Sequence, residues 1–332
     1  MEITQNRFLN SLRSFVINNS ILLFLIVLFI ASMVFVPNFM TAFNLKNLLL
    51  QAIDIIIVAA GVTFVVLNGG IDFSATSVLA LGSVFGSYIM ALSPLAGTPF
   101  AIPAGILVML ALGALVGAVN GISVSVLKIP SFIATLATMM IGSGVAVWFT
   151  SIVSEKASII GLPEAFFIIG GDQGYIWVPI LIAAVVLIFT HWLLNYTLFG
   201  RQIFAVGTNP KTAFISGVPV KKTLFMIMFL SGLYAGLGSI IATARNQAGI
   251  PSLGDKIFID IIASIVIGGT SVMGGSGGVK QTIYGVFFIT LLNNVVNLLG
   301  IDWYVISLIK GILVLIAAFL DIFTRRLEEL RR

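Results

Sequence analysis

The sequence predicts an all-α protein that crosses a membrane about ten times. Three observations carry that expectation. Charged residues make up 9% of the 332 positions and apolar ones 59%, with a mean hydropathy of +1.16, whereas a soluble domain carries about a quarter charged residues. The apolar residues gather into ten blocks, and a crossing helix needs about 20 of them. The cations between the blocks are also biased. With ten crossings, the side shared by the two termini receives twelve of the 17 Lys and Arg, the other side four, and Lys310 falls inside a block. Positive charge collects on cytoplasmic loops, so both termini are expected in the cytoplasm. The net charge of +5 then reflects topology, with lipid as the surrounding partner and no nucleic acid implied.

The chain reads as one transmembrane domain over 1–332. Residues 1–19 are a polar lead with Arg7 and Arg13, on the cytoplasmic side. The first block, 20–36, is long enough to span and has no small-residue cleavage site after it, so it reads as a crossing and not as a signal peptide. The second, 47–67, contains Asp54. A carboxylate at that depth needs the bundle interior, a partner or water, and marks either a substrate path or a helix-helix lock. Asn68 and Asp72 stand in NGGIDFSATS, 68–77, a glycine-rich break that either turns tightly or leaves backbone lining a cavity.

The third block runs over 74–92 and the fourth over 104–127, the latter with Asn120 and with Gly113, Gly117 and Gly121 at four-residue spacing. Such spacing makes a smooth face that lets another helix approach closely. In the fifth block, 130–153, Thr135 and Thr138 can satisfy their hydroxyls on the preceding turn. Residues 154–174 carry Glu155, Glu164 and Asp172 against Lys156, a balance that fits the outer side. The sixth block is 175–195, where the single histidine, His191, sits beside Trp192 at an interface. The seventh is 223–243 with Gly232, Gly236 and Gly238, followed by a polar loop with Arg245, Asp255 and Lys256. The eighth, 257–273, contains Asp260 and ends in a second glycine-rich break. The ninth, 279–299, sets Asn293 and Asn297 one turn apart, and the tenth, 303–323, contains Lys310. A cytoplasmic tail, 324–332, closes the chain with four arginines.

The long basic insert at 196–222 stands apart. It carries Arg201, Lys211, Lys221 and Lys222 with no acidic residue. Between Gly207 and Gly217 the pattern predicts a short helix: Asn209 caps it, Pro210 suits its first position, Ala213, Phe214 and Ile215 give it an apolar side, and Gly217 with Pro219 stops it. It is either a solvated loop or a helix under the membrane that docks a partner. A weak echo also links two parts of the chain. IDII at 53–56 precedes Gly61, Thr63 and Gly69-Gly70, and IDII at 259–262 precedes Gly268, Thr270 and Gly274-Gly275 at nearly the same offsets. Either isoleucine-rich helices produce this by chance, or Asp54 and Asp260 are counterparts in a repeat.

Enzyme chemistry finds little purchase. The run GGSGGVKQT at 274–282 lacks the glycine directly before lysine and the preceding strand of a phosphate loop. There are no cysteines, no HExxH and no GxSxG, so neither a metal centre nor a catalytic triad is expected.

Several runs, in order over roughly 44–321, resemble the membrane permease subunits of ribose-type carbohydrate ABC importers. GGIDFSATS at 69–77 is similar to that family's GGIDLSVGS, PSFIATL at 130–136 to PxFIxTL, and residues 200–218 to GRxxxAxGxNxxxAxxxGI. Residues 260–277 are similar to D-x-I-A-x-x-V-x-GGTSxxGGxG, and 291–300 to LLNNxxNLLG. Three departures from the pattern stand out: Pro210-Lys211 where many relatives have small or acidic residues, Phe258 where they commonly have Glu, and Val218 for Ile.

The resemblance implies a type II importer permease fold of ten helices in the bacterial cytoplasmic membrane. It implies a second identical or related permease, a cytoplasmic ATPase that binds ATP and Mg so that this chain needs no cofactor, and an external binding protein that delivers a monosaccharide or related polyol. The basic insert becomes the coupling segment, with Arg201, Gly207, Asn209, Pro210, Lys211, Ala213 and Gly217 facing the ATPase. Pathway candidates are Asp54, Asn68, Asp72, Asn120, Asp260 and Asn293, and Arg245 and Lys256 are expected to help dock the binding protein. The alternatives are the same fold with a nucleoside or signalling furanose as cargo, an ion-coupled carrier using Asp54, Asp260 and Lys310, and a purely structural membrane partner.

Overall fold

In a computed structural model, residues 20–172, 174–255 and 257–329 are described. Gln173, Lys256, the whole of the polar lead 1–19 and the last three residues of the tail lie outside them. Among the described residues every regular element is helical, and one antiparallel bridge joins Ile159 to Gly249.

The helices follow the apolar blocks, with informative differences. α1 is Ser20–Phe35. α2, Ala42–Leu67, starts five residues earlier than its block because Thr41 caps it, accepting from the Asn44 amide at 3.3 Å. α3 is Ser74–Ala91, α4 Ala101–Ser125 and α5 Ser131–Val153. The acidic stretch folds into a short α6, Glu164–Phe167, and a 3-10 turn, Ile168–Gly170. α7 is Trp177–Tyr196, α8 Leu198–Thr208, α9 Pro210–Ile215 and α10 Val220–Asn246. α11, Phe258–Ile267, is followed by α12, Val279–Leu298, and α13, Trp303–Glu329. Six of these, α2, α3, α4, α5, α7 and α10, are long and apolar enough to cross a membrane.

One expectation needs correction. The eighth block does not form a crossing helix: α11 has 10 residues, about 15 Å at 1.5 Å per residue and half of a bilayer core. Glycines stop it, since residues 268–278 supply five with positive φ. The short helix expected between Gly207 and Gly217 is α9, capped by Asn209 and begun by Pro210, and Gly207 itself lies inside the preceding α8.

α10 is the central post. It lies along α4, where Gly113, Gly117 and Gly121 meet Gly232, Gly236 and the backbone around Phe225 and Phe229. A methyl on Gly117 would lie 2.7 Å from the Met228 carbonyl, and one on Gly236 2.9 Å from the Met109 carbonyl, so these backbones touch without side chains between them. α2 is the other buried element, apolar all round and enclosed by α7, α8, α10, α11 and α12. The outer faces of α4, α5 and α7 expose Leu115, Met140 and Ile188 among others, as surfaces against lipid do.

Between α10 and α11 the chain runs back along α3. The Ile250 amide meets Ser83 Oγ at 3.0 Å, Gly254 packs on the Thr76 backbone, and the Phe258 ring stacks on Phe73 at 4.9 Å. Phe258 therefore supplies an aromatic contact to the residue just before α3.

Candidate functional site

A cavity of about 850 Å³ opens beside the start of α11. α2 contributes Gln51, Asp54 and Ile55; α10 ends at it with Arg245; the returning segment adds Asp255 and Ile257. Ile259 and Asp260 of α11, Thr290, Asn293 and Asn297 of α12, and Ile306, Ser307 and Lys310 of α13 complete the wall. Two acid-base pairs face each other across it. Arg245 forms an ion pair with Asp54 Oδ2, and Lys310 with Asp260 Oδ1. Asn293 Nδ2 donates to the other Asp260 oxygen at 2.9 Å.

An ionisable group surrounded by apolar helices persists only when paired, which explains why Lys310 can occupy an otherwise apolar helix. Asp260 also lies in the first turn of α11, where the helix dipole favours negative charge. The interrupted α11 matters for the same reason. This short helix brings its N-terminus and the non-helical chain before it to the cavity, an arrangement typical of transporter sites.

The pathway candidates divide among three places. Asp54, Asp260 and Asn293 are brought together in this cavity, and the two echoed aspartates line it from α2 and α11. Asp72 and Asn120 lie elsewhere, in a buried network. Asp72 accepts from Ser74 Oγ at 2.6 Å, the Ser74 amide at 2.9 Å and Ser231 Oγ at 2.6 Å. Asn120 donates to Ser74 Oγ at 2.8 Å and accepts from Thr138 Oγ1 at 2.9 Å. That network joins α3, α4, α5 and α10 in one satisfied cluster. Thr138 also bonds the Ala134 carbonyl and Thr135 the Ser131 carbonyl, each on its preceding turn. Asn68 lines a separate cavity of about 320 Å³ with Lys128 and Ser131, and its side chain donates to the Ile203 carbonyl at 3.4 Å.

Arg245, expected to help dock the binding protein, lines the cavity with its guanidinium held by Asp54 and its side chain partly exposed. Thr290, Gln51 and Lys310 also belong to the wall. Of these only Lys310 had a signal in the sequence, a cation inside an apolar block.

Opposite the cavity, the two glycine-rich breaks cross. The Gly275 amide donates to the Leu67 carbonyl at 2.8 Å, and just inside them Thr63 and Thr282 join their hydroxyls at 2.7 Å. α8 ends on this crossing. Gly207 presses on the Leu67 carbonyl, and a methyl there would also lie 3.0 Å from the Gly275 amide. From that point α9 projects outward. Asn209 Oδ1 accepts from the amides of Lys211 and Thr212 at 3.0 and 3.1 Å, with Pro210 in the first turn. Gly217, at φ +82°, closes the helix in the left-handed conformation that glycine adopts without a Cβ clash. Ala213 is buried beneath, while Arg201, Lys211, Phe214 and Ile215 are exposed, the last two at 71% and 84%.

The family model for "Branched-chain amino acid transport system / permease component" matches residues 44–318. The chain belongs to that family. It is a transport component and an integral protein of the bacterial inner membrane, and six of its described helices are long and apolar enough to cross one. Among characterised permeases it is 36% identical to the ribose import permease RbsC of Escherichia coli K12 over 296 residues, covering 86% of this chain and 87% of that one. It is 37% identical to RbsC of Bacillus subtilis over 290 residues, 86% of each. The L-arabinose permease AraH of Escherichia coli K12 is 34% identical over 304 residues, 91% of this permease and 90% of that one. No solved structure matches the chain.

Proposed function

We propose that this permease is the membrane-spanning subunit of an ATP-driven importer that passes a monosaccharide, delivered by an external binding protein, through a pair of such chains. The relatives named for ribose, arabinose and galactose support a sugar as cargo, although the family description names branched-chain amino acids. A zwitterion needs an uncommitted cation and anion, and here both cations of the cavity already hold carboxylates.

The observation that carries the reading is mechanical continuity. α9 leads into α8, α8 rests through Gly207 on the crossing of the breaks, and from that crossing α2 and α12 run to the cavity wall. A push on α9 by an ATPase would therefore reach both ends of the pathway through rigid helices. In this reading ten segments cross the membrane, with α11 and its flanking chain as a broken one. The fold is of the type II importer kind and both termini are cytoplasmic. ATP and Mg stay on the partner, and Arg201, Asn209, Pro210, Lys211, Phe214 and Ile215 meet it.

Proteoliposomes containing the permease, its ATPase and the binding protein should take up at least one of D-ribose, L-arabinose and D-galactose only with ATP inside and all components present. Uptake that survives removal of the ATPase would refute the proposal.

A further inference from the structure

We infer that the 850 Å³ cavity is a ligand site in its own right, one that accepts neutral polyhydroxylated molecules and rejects anionic ones. This deepens the importer reading, on which it rests, by giving the permease its own selectivity.

Apart from Asp54 Oδ2, whose one contact is the ion pair with Arg245, four buried side-chain atoms in residues of the cavity wall have no hydrogen-bond partner among the described residues: Asp54 Oδ1, Arg245 Nε, Thr290 Oγ1 and Asn293 Oδ1. They come from three helices, α2, α10 and α12. Buried polar groups without partners are rare and costly, and several converging on one cavity mark the place where a ligand or water satisfies them. Other orphaned hydroxyls, those of Ser87, Thr243 and Ser264, are single helical groups away from this wall. A rotation can return such a hydroxyl to the preceding turn.

The chemistry of the four follows from what their neighbours already do. Asp260 has both oxygens engaged, one by Lys310 and one by Asn293 Nδ2. The amide of Asn293 is thereby oriented, with Oδ1 left unpartnered. Arg245 gives one nitrogen to Asp54, leaving its own Nε and the second carboxylate oxygen open.

The open set is thus two acceptors, one N–H donor and one hydroxyl that does either. Sugar hydroxyls both donate and accept, so adjacent ones match a mixed set of this kind. A phosphate or carboxylate group brings acceptors and charge alone. It would meet three aspartates, Asp54, Asp255 and Asp260, against Arg245 and Lys310, both already paired. The apolar wall is isoleucine, with no aromatic ring for a sugar to stack on, which suits a site that releases its ligand onward.

The absence of native cysteines permits a direct test. Ile259, exposed on the wall, is replaced in the assembled permease–ATPase complex (Ile259→Cys), and its labelling by a thiol reagent is followed on the permease. Whichever of D-ribose, L-arabinose and D-galactose the complex imports should slow labelling, and its terminal phosphate ester should not. Adding Thr290→Val, which keeps shape and removes the hydroxyl, should raise the half-protecting sugar concentration roughly threefold to tenfold, the effect of one hydrogen bond.

Equal protection by the ester would overturn the selectivity. An unchanged midpoint in Thr290→Val would overturn the assignment of the open atoms. Absence of protection in a complex whose uptake is ATP-driven would overturn the site and leave the importer reading standing. Loss of ATP dependence itself would strike the importer reading first.

Discussion

At Asp260 three helices meet on one carboxylate, with Lys310 arriving from α13 and Asn293 from α12. Removing one partner of such a buried pair strands the other charge, which costs about 3–5 kcal/mol, whereas replacing both by neutral groups costs far less. Lys310→Met should therefore lower the melting temperature of the purified complex markedly, and Asp260→Asn/Lys310→Met should recover most of the loss. If the double variant melts no higher than the single one, the pair is not what holds α11 to α13. Gly207 invites a different experiment, because any side chain there meets the Leu67 carbonyl. Gly207→Val should leave ATP hydrolysis by the assembled complex running while sugar uptake per ATP falls several-fold. Unchanged stoichiometry would mean that α8 and the crossing are not in series.

The short α9 combines a buried Ala213 with exposed Phe214 and Ile215, a hydrophobic pair presented away from the bundle. Phe214→Glu with Ile215→Glu should abolish co-purification of the ATPase without altering the permease's own melting behaviour. Retained co-purification would locate the docking surface elsewhere. This element was legible in the sequence because its signals are local: Asn209 as cap, Pro210 in the first turn, Gly217 at the end. The shortness of α11 was not, since hydropathy reports how apolar a stretch is and not whether its backbone is helical. The glycines and serines of 268–278 pass as part of a span. The cavity was legible only in part. Asp54, Asp260 and Asn293 announced themselves as polar residues inside apolar blocks, but so did Asp72 and Asn120, and nothing local separates a cavity wall from a buried lock. Arg245 sits in a stretch that reads as an outer loop. That its side chain turns inward depends on Asp54, a contact across most of the chain and so beyond any local pattern.

For the molecule as a whole, the cavity and the crossing of the breaks lie towards opposite ends of α2 and α12, so transport requires one to open as the other closes. The hydroxyls of Thr63 and Thr282 are 2.7 Å apart, close enough for sulfurs in their place to bond. The Thr63→Cys/Thr282→Cys permease should lose sugar uptake on mild oxidation and regain it on reduction, in proteoliposomes that carry the complete importer. Full uptake with the bridge formed would show that the crossing stays closed throughout the cycle. The seam between α4 and α10 sets the counterpart to that motion. Bare backbone against bare backbone leaves no rotamers to rearrange, and even one methyl of sliding would collide. These two helices should thus travel as a single rigid chassis through the cycle, leaving the hinges to the interrupted strands of chain that flank it.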